Sequence, residues 1–259
     1  RSLVGSEMCI RDRHMPPLRG GICFVSGEKG AGKSFIVSRA SQRLFDQGLL
    51  APEFLADGVT GDAEKSAPAN STAERSRAGQ ALWLHGFCRS YTQDWPFSMW
   101  RDLARRWLGA QNGSAPSAGN HNGGALGADA MLALLRQQAE RIWGEQAGDH
   151  YPYLASLLSL PLEEPYATQA RRMDAELWQR QLFQTIRSWL AALAERQPIV
   201  VAFSDLHWAD PSSIDLLRFC LPLCDGAPIL WLTMFRPDRT SPVWSFRHHV
   251  ETEYPHRLT

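Results

Sequence analysis

The chain has 259 residues, 44% of them hydrophobic and 21% charged, with 27 basic residues balanced by 27 acidic ones. This is ordinary globular composition with ample length for a buried core, in one large domain or two small ones; it excludes whole-chain disorder, a collagen and a peptide-sized disulfide scaffold. Zero net charge supplies no basic field for phosphate backbones, and Arg105-Arg106 and Arg171-Arg172 read as solvated helix faces, so nucleic-acid binding by this segment is not expected.

Residues 1–13 (RSLVGSEMCIRDR) have neither a signal-peptide core nor an amphipathic pattern. They resemble a translated sequencing-adapter scar and are set aside, leaving 15–259 as the domain to be interpreted. Gly21–Ser26 (GICFVS) is a short apolar run, followed at once by the Gly-rich GEKGAGKS, after which Ile36, Ala40 and Leu44 recur at helical spacing up to Gly48. The order is strand, glycine loop, helix. Residues 56–79 and 110–129 are rich in Ala, Gly, Ser, Asn and Pro without periodicity and are expected to be mobile surface loops.

ALWLHGF (81–87) predicts a second strand, followed by a short helix carrying Met99, Trp100, Leu103 and Trp107 and stopped by Gly109. A helix is expected over Ala130–Trp143, with Asp129 as its N-cap and Gly144 just past its end. A longer one spans about Ala175–Arg196, with Trp178, Leu182, Ile186, Trp189 and Leu193 as its apolar stripe. PIVVAF (198–203), a polar turn, a helix over roughly Pro211–Cys224 and PILWLTMF (228–235) complete the pattern. Two continuous apolar strands with a helix between them indicate a parallel sheet covered on both faces.

Neither strand approaches the roughly 18–20 residues of a membrane span, so no membrane partner is expected. The five cysteines, Cys9, Cys23, Cys88, Cys220 and Cys224, contain no CxxC pair. That usage points to a reducing, cytoplasmic setting, with Cys220 and Cys224 as small core residues rather than metal ligands. The ten tryptophans fall mostly on helical stripes or strands and are expected in the core.

Gly27, Glu28, Lys29, Gly30, Ala31, Gly32, Lys33 and Ser34 match G-x-x-x-x-G-K-[ST] in full, between a strand and a helix. Glycines let the backbone turn tightly enough for several N–H groups to converge on phosphates at a helix N-terminus. Lys33 is expected to reach the β- and γ-phosphates and the Ser34 hydroxyl to bind Mg²⁺. Glu28 and Lys29 matter through their amides alone, and Phe35 closes the set of residues assigned to the nucleotide.

Such a loop needs a second strand that ends in an acidic residue near Mg²⁺ and the attacking water. The candidate is PIVVAF followed by Ser204 and Asp205. Asp210, just before Pro211, fits an N-cap better than a catalytic acid. His207 and Trp208 fit either a packed turn or a ligand contact.

The run SDLHWADPSSIDLLRF resembles the EDLHWADPSSLDLLRF signature of STAND-type P-loop ATPases, the origin-recognition-like AAA ATPase domains of large bacterial regulators. In those regulators the domain is joined to class III cyclase, LuxR-type DNA-binding or tetratricopeptide domains. ALWLHGFCRSYTQDWPFSMWRDLARRWLG resembles the family's second-strand segment, YPYLASLLSLPL its helical connector, and TMFRPDRTSPVW the strand and turn carrying its sensor arginine. The resemblance implies that Gly27 to Ser34 bind ATP–Mg²⁺, that Asp205 serves the metal and the hydrolytic water, and that Arg236 senses the γ-phosphate. It implies a three-layer α/β P-loop NTPase with strand order 5-1-4-3-2. By that comparison the chain would stop before the fifth strand, the lid and the signalling domains, and nucleotide-dependent self-association is a further expectation. One position departs from the family: Ser204 stands where an acid is usual, and a hydroxyl is a weaker, neutral partner for hydrated Mg²⁺.

Overall fold

The computed structural model describes residues 20–50, 80–111, 127–238 and 241–259. The adapter-like stretch 1–13, the expected loop 56–79 and most of the expected loop 110–129 lie outside the described residues.

Four strands, Gly21–Ser26 (β1), Leu82–Phe87 (β2), Ile199–Ser204 (β3) and Ile229–Phe235 (β4), form a parallel sheet in the order β1-β4-β3-β2. Ser26 lies opposite Phe235 and Phe87 opposite Ser204, so the carboxyl ends of neighbouring strands finish level. Parallel strands are apolar on both sides because helices cover both faces. On one face Val200, Ala202, Leu232 and Met234 meet Val37, Leu44 and Phe45, the last three from helix α1 (Lys33–Asp46). On the other, Ile22, Leu84, Val201, Phe203 and Trp231 join a larger core. It is built with α2 (Ser98–Gln111), α3 (Ala128–Trp143), α4 (Ala147–Leu157), α6 (Ala175–Arg196), α7 (Pro211–Cys220) and α9 (Pro242–Glu253). Short helices α5 (Tyr166–Arg172) and α8 (Leu223–Gly226) complete the set. The α/β arrangement is the one expected, and the four strands follow the 1-4-3-2 part of the expected order.

Several element ends differ from expectation. Helix α2 continues through Gly109 to Gln111. A helix-interior glycine costs only about 1 kcal/mol relative to alanine, and the buried Trp100, Leu103, Trp107 and Leu108 outweigh it. Helix α3 starts at Ala128 with Gly127 as N-cap; Asp129 therefore sits in the first turn, where its charge faces the helix dipole, and caps nothing. The helix expected over 211–224 is two, because Pro222 has no N–H to continue the ladder. Cys220 and Cys224 are both in the core, and burial pushes the Cys224 thiol up to about 11.

Tryptophans 83, 100, 107, 189 and 231 are buried, with Trp100 edge-on to Phe203 and Trp107 edge-on to Trp189; Trp95 is exposed. Beyond α9 the backbone of Arg257–Thr259 runs parallel to the outer edge of β1. Ile22 N–H donates to the Arg257 carbonyl at 2.8 Å, and Thr259 N–H to the Ile22 carbonyl at 2.8 Å. Among the described residues no helix is long and apolar enough to cross a membrane.

Candidate functional site

The glycine loop joins β1 to α1 at the carboxyl edge of the sheet. Gly30 (φ 85°) and Gly32 (φ 78°) lie in the left-handed region, which turns the loop without a Cβ penalty. Gly32 is the N-cap of α1, no side chain caps that end, and the first turn holds no acidic residue. The first amides of α1 have no carbonyl one turn earlier to bond, and the helix dipole adds positive potential there. Lys33 Nζ folds back onto the carbonyls of Gly27 (2.7 Å) and Glu28 (2.9 Å). Ser34 is exposed at the same helix end, and the Phe35 side chain is 72% exposed.

The sheet brings the other expected residues to the same edge. Gly27 N–H donates to the Phe235 carbonyl at 3.3 Å, which sets Arg236 beside the start of the loop. Asp205 follows β3 directly, in the left-handed region at φ 56°, and its carbonyl accepts from Trp208 N–H at 2.8 Å. His207, 6% exposed, senses the whole group: burial lowers its pKa most, Asp205 and Asp238 raise it, and Arg236 and Lys33 lower it. Both of its ring nitrogens and Nε of Arg236 are buried without a hydrogen-bond partner.

Asp210 does what its place before Pro211 indicated, and more. Its carboxylate accepts from Ser213 N–H (2.8 Å) and Ser213 Oγ (2.6 Å), capping α7. It also accepts from Phe97 N–H (3.1 Å) and Ser98 N–H (3.3 Å) at the start of α2. From the other side Ser241 Oγ, at the N-cap of α9, donates to the His207 carbonyl at 3.0 Å. The turn that carries Asp205 and His207 is thus clamped to two helices.

Sequence reasoning missed one partnership. Ser204 is 5% exposed, and its Oγ lies 2.7 Å from Nε2 of His85 on β2. Burial, and then the Arg106 charge, lower the His85 pKa to about 3, so the ring is neutral. The only cue was a histidine inside the otherwise apolar LWLHGF.

These groups fit a nucleotide triphosphate with Mg²⁺. The uncapped helix end and Lys33 are positive groups at the loop, Arg236, its Nε without a partner, follows the strand that bonds Gly27, and Ser34 and Asp205 are hard oxygen donors suited to Mg²⁺. Among the described residues no three His, Cys, Asp or Glu side chains gather to hold a metal. Mg²⁺ in phosphate sites relies on one or two protein groups together with the phosphates.

The family model described as AAA ATPase domain matches residues 12–232. A 126-residue segment is 29% identical to the Rhizobium meliloti (strain 1021) protein named "Uncharacterized protein R02095", spanning 49% of this chain and 12% of that one. No solved structure matches. AAA ATPases generally bind ATP with Mg²⁺ and hydrolyse it, and, with most of its length matched, this chain belongs to the AAA ATPase domain family.

Proposed function

We propose that this domain is a regulatory ATPase switch: it binds ATP–Mg²⁺, hydrolyses it slowly, and signals the state of the nucleotide to other parts of a multidomain regulator. The observation that carries this is the convergence at one sheet edge of Lys33, Arg236 and the turn of Asp205 and His207, a turn tied by Asp210 to α2 and by Ser241 to α9. The loop from Gly27 to Phe35 holds the phosphates through Lys33 and the unpaired amides at the start of α1, while the Ser34 hydroxyl and Asp205 carboxylate hold Mg²⁺. Mg²⁺ supplies neutralisation of the developing phosphate charge. Asp205 orients the attacking water. Arg236 distinguishes ATP from ADP through the charge of the γ-phosphate, and a change there reaches α9 through the His207 carbonyl. The matched Rhizobium meliloti protein carries its similar segment as 12% of a longer chain, which agrees with a module that acts on neighbours. Nucleotide-dependent self-association is one form such an action would take.

A second reading is a nucleotide-binding scaffold without turnover, favoured by the neutral Ser204–His85 pair where the resembling family has an acid. Phosphate release with Lys33→Ala as the control separates the two. The switch is expected to release phosphate in a Mg²⁺-dependent way above that control; release equal to it in an ATP-binding protein would leave the scaffold.

A further inference from the structure

Ser204 and His85 form a built pair, and their arrangement bears on the metal. Ser204 is the last residue of β3, beside Asp205, and His85 reaches it from the neighbouring strand β2. The His85 ring stacks on Phe87 with centroids 4.1 Å apart, and the Arg106 guanidinium lies over that Phe87 ring at 4.6 Å, which fixes the imidazole in place. Ser204 Oγ lies 2.7 Å from Nε2 of His85 and 3.9 Å from the Met234 thioether. The imidazole accepts the Ser204 proton when its own proton is on Nδ1 and donates to Oγ in the other tautomer, and Nδ1 is buried without a partner in both. As an acceptor Nε2 is far the stronger, since a thioether is a weak acceptor. In the Nδ1–H tautomer the nitrogen holds the hydroxyl proton, and the Ser204 oxygen has only lone pairs left to offer.

We propose that His85, by accepting the Ser204 hydroxyl proton at Nε2, makes Ser204 an acceptor-only group that holds Mg²⁺-bound water in place of a carboxylate. His85 is then a positioning residue, acting through Ser204. The role rests on the ATP–Mg²⁺ reading above and adds to it the device by which a neutral side chain serves a position that calls for an acceptor. A carboxylate accepts and never donates when ionised. An unconstrained serine would spend part of its time donating toward the cation's water and would hold it poorly.

The test is equilibrium binding of ATP, with and without Mg²⁺, to the wild-type protein and to His85→Phe, Ser204→Ala, the double variant, His85→Gln and Lys33→Ala. Loss of an outer-sphere partner of a metal site typically costs about 10–100-fold. His85→Phe and Ser204→Ala are each expected to lose a Mg²⁺-dependent gain in ATP affinity of about that size, with affinity in EDTA shifted by no more than about twofold. The double variant is expected to be no worse than either single one, and His85→Gln, whose amide oxygen accepts the same proton, to recover most of the gain. Equal losses with and without Mg²⁺, or additive losses in the double variant, would overturn the role of the pair. Wild-type protein that binds ATP no better than Lys33→Ala would instead overturn the nucleotide reading itself. Should His85→Phe fail to fold, Ser204→Ala and His85→Gln decide the matter: loss of the Mg²⁺-dependent gain in the first and its retention in the second support the role, and any other pattern overturns it.

Discussion

At position 204 a hydroxyl, 5% exposed, closes a strand whose other residues are all buried, and the residue after it carries a carboxylate. If the missing negative charge limits turnover, Ser204→Glu should raise Mg²⁺-dependent phosphate release, about tenfold if it supplies one charge-assisted contact. A rate unchanged from wild type in a phosphate-release assay would show that charge at this position is not limiting. Gly32 has a different constraint. At φ 78° any L side chain is strained by roughly 1–2 kcal/mol, yet a Cβ there would meet nothing within 4 Å. Gly32→Ala is therefore expected to weaken ATP binding about tenfold by tilting the loop off its geometry, with a melting temperature close to wild type. A large loss of melting temperature would show that the glycine is structural. The loop could be read in the sequence because its residues are contiguous and one backbone shape serves them all. The His85–Ser204 contact could not, since its members are 119 residues apart and meet only after β2 and β3 pair.

Among the elements, the connection from β3 into α7 depends on one carboxylate. Asp210, 3% exposed, accepts from three backbone N–H groups, those of Phe97, Ser98 and Ser213, and from the hydroxyls of both serines. Phe97 sits at φ 60°, a conformation unusual for a bulky side chain, and Asp210 is among the groups that hold it there. Removing the carboxylate leaves buried donors unpaired, so Asp210→Ala should cost about 2–4 kcal/mol in urea unfolding, well above the ~1 kcal/mol of a lost helix cap. A cost no larger than a cap's would mean that the α2 contacts carry little. Cap geometry was legible from Asp210 and Pro211 because it is local. The bridge to α2 spans more than a hundred residues and left no pattern. The same division explains the element ends: Ala175–Arg196 was legible from its apolar stripe, while α2 ran past Gly109 because its fate was set by partners in the core. Gly86 gives a packing check on β2. A Cβ there would lie 2.7 Å from the Met99 carbonyl oxygen and 2.9 Å from the Phe203 ring, so Gly86→Ala should destabilise by about 1–3 kcal/mol as overpacking does. Unfolding indistinguishable from wild type would show that α2 yields freely.

For the whole molecule, the titrating groups that matter most near neutrality are histidines, and three of them shift the same way. Burial lowers the pKa of His85 to about 3, and it lowers those of His150 and His207 as well. In each case the native ring takes up its proton at lower pH than the unfolded chain, whose histidines titrate near the ordinary value of about 6.5. The unfolded state therefore binds more protons, and stability must rise with pH across the interval from about 3 to 6.5 and level off above it. His85 alone is expected to account for roughly 1–2 kcal/mol of loss at pH 5 relative to pH 8, and the other two add to it with the same sign. Asp225 runs the other way in form but not in consequence. Its hydrogen bond to Arg257 lowers its pKa, so whatever it contributes is lost only as pH falls below the ordinary carboxylate range. It is solvent-exposed, and such pairs add little. Against a typical total of about 5–15 kcal/mol, the histidine term is large enough to read in a urea titration. The midpoint should fall between pH 8 and pH 5, and the fall should be smaller in His85→Phe, which has no ring to protonate. Equal midpoints at the two pH values would mean that the native rings take up protons as readily as the unfolded chain. A pH dependence unaltered in His85→Phe would move the effect to His150 in α4 and to His207 in the turn after β3.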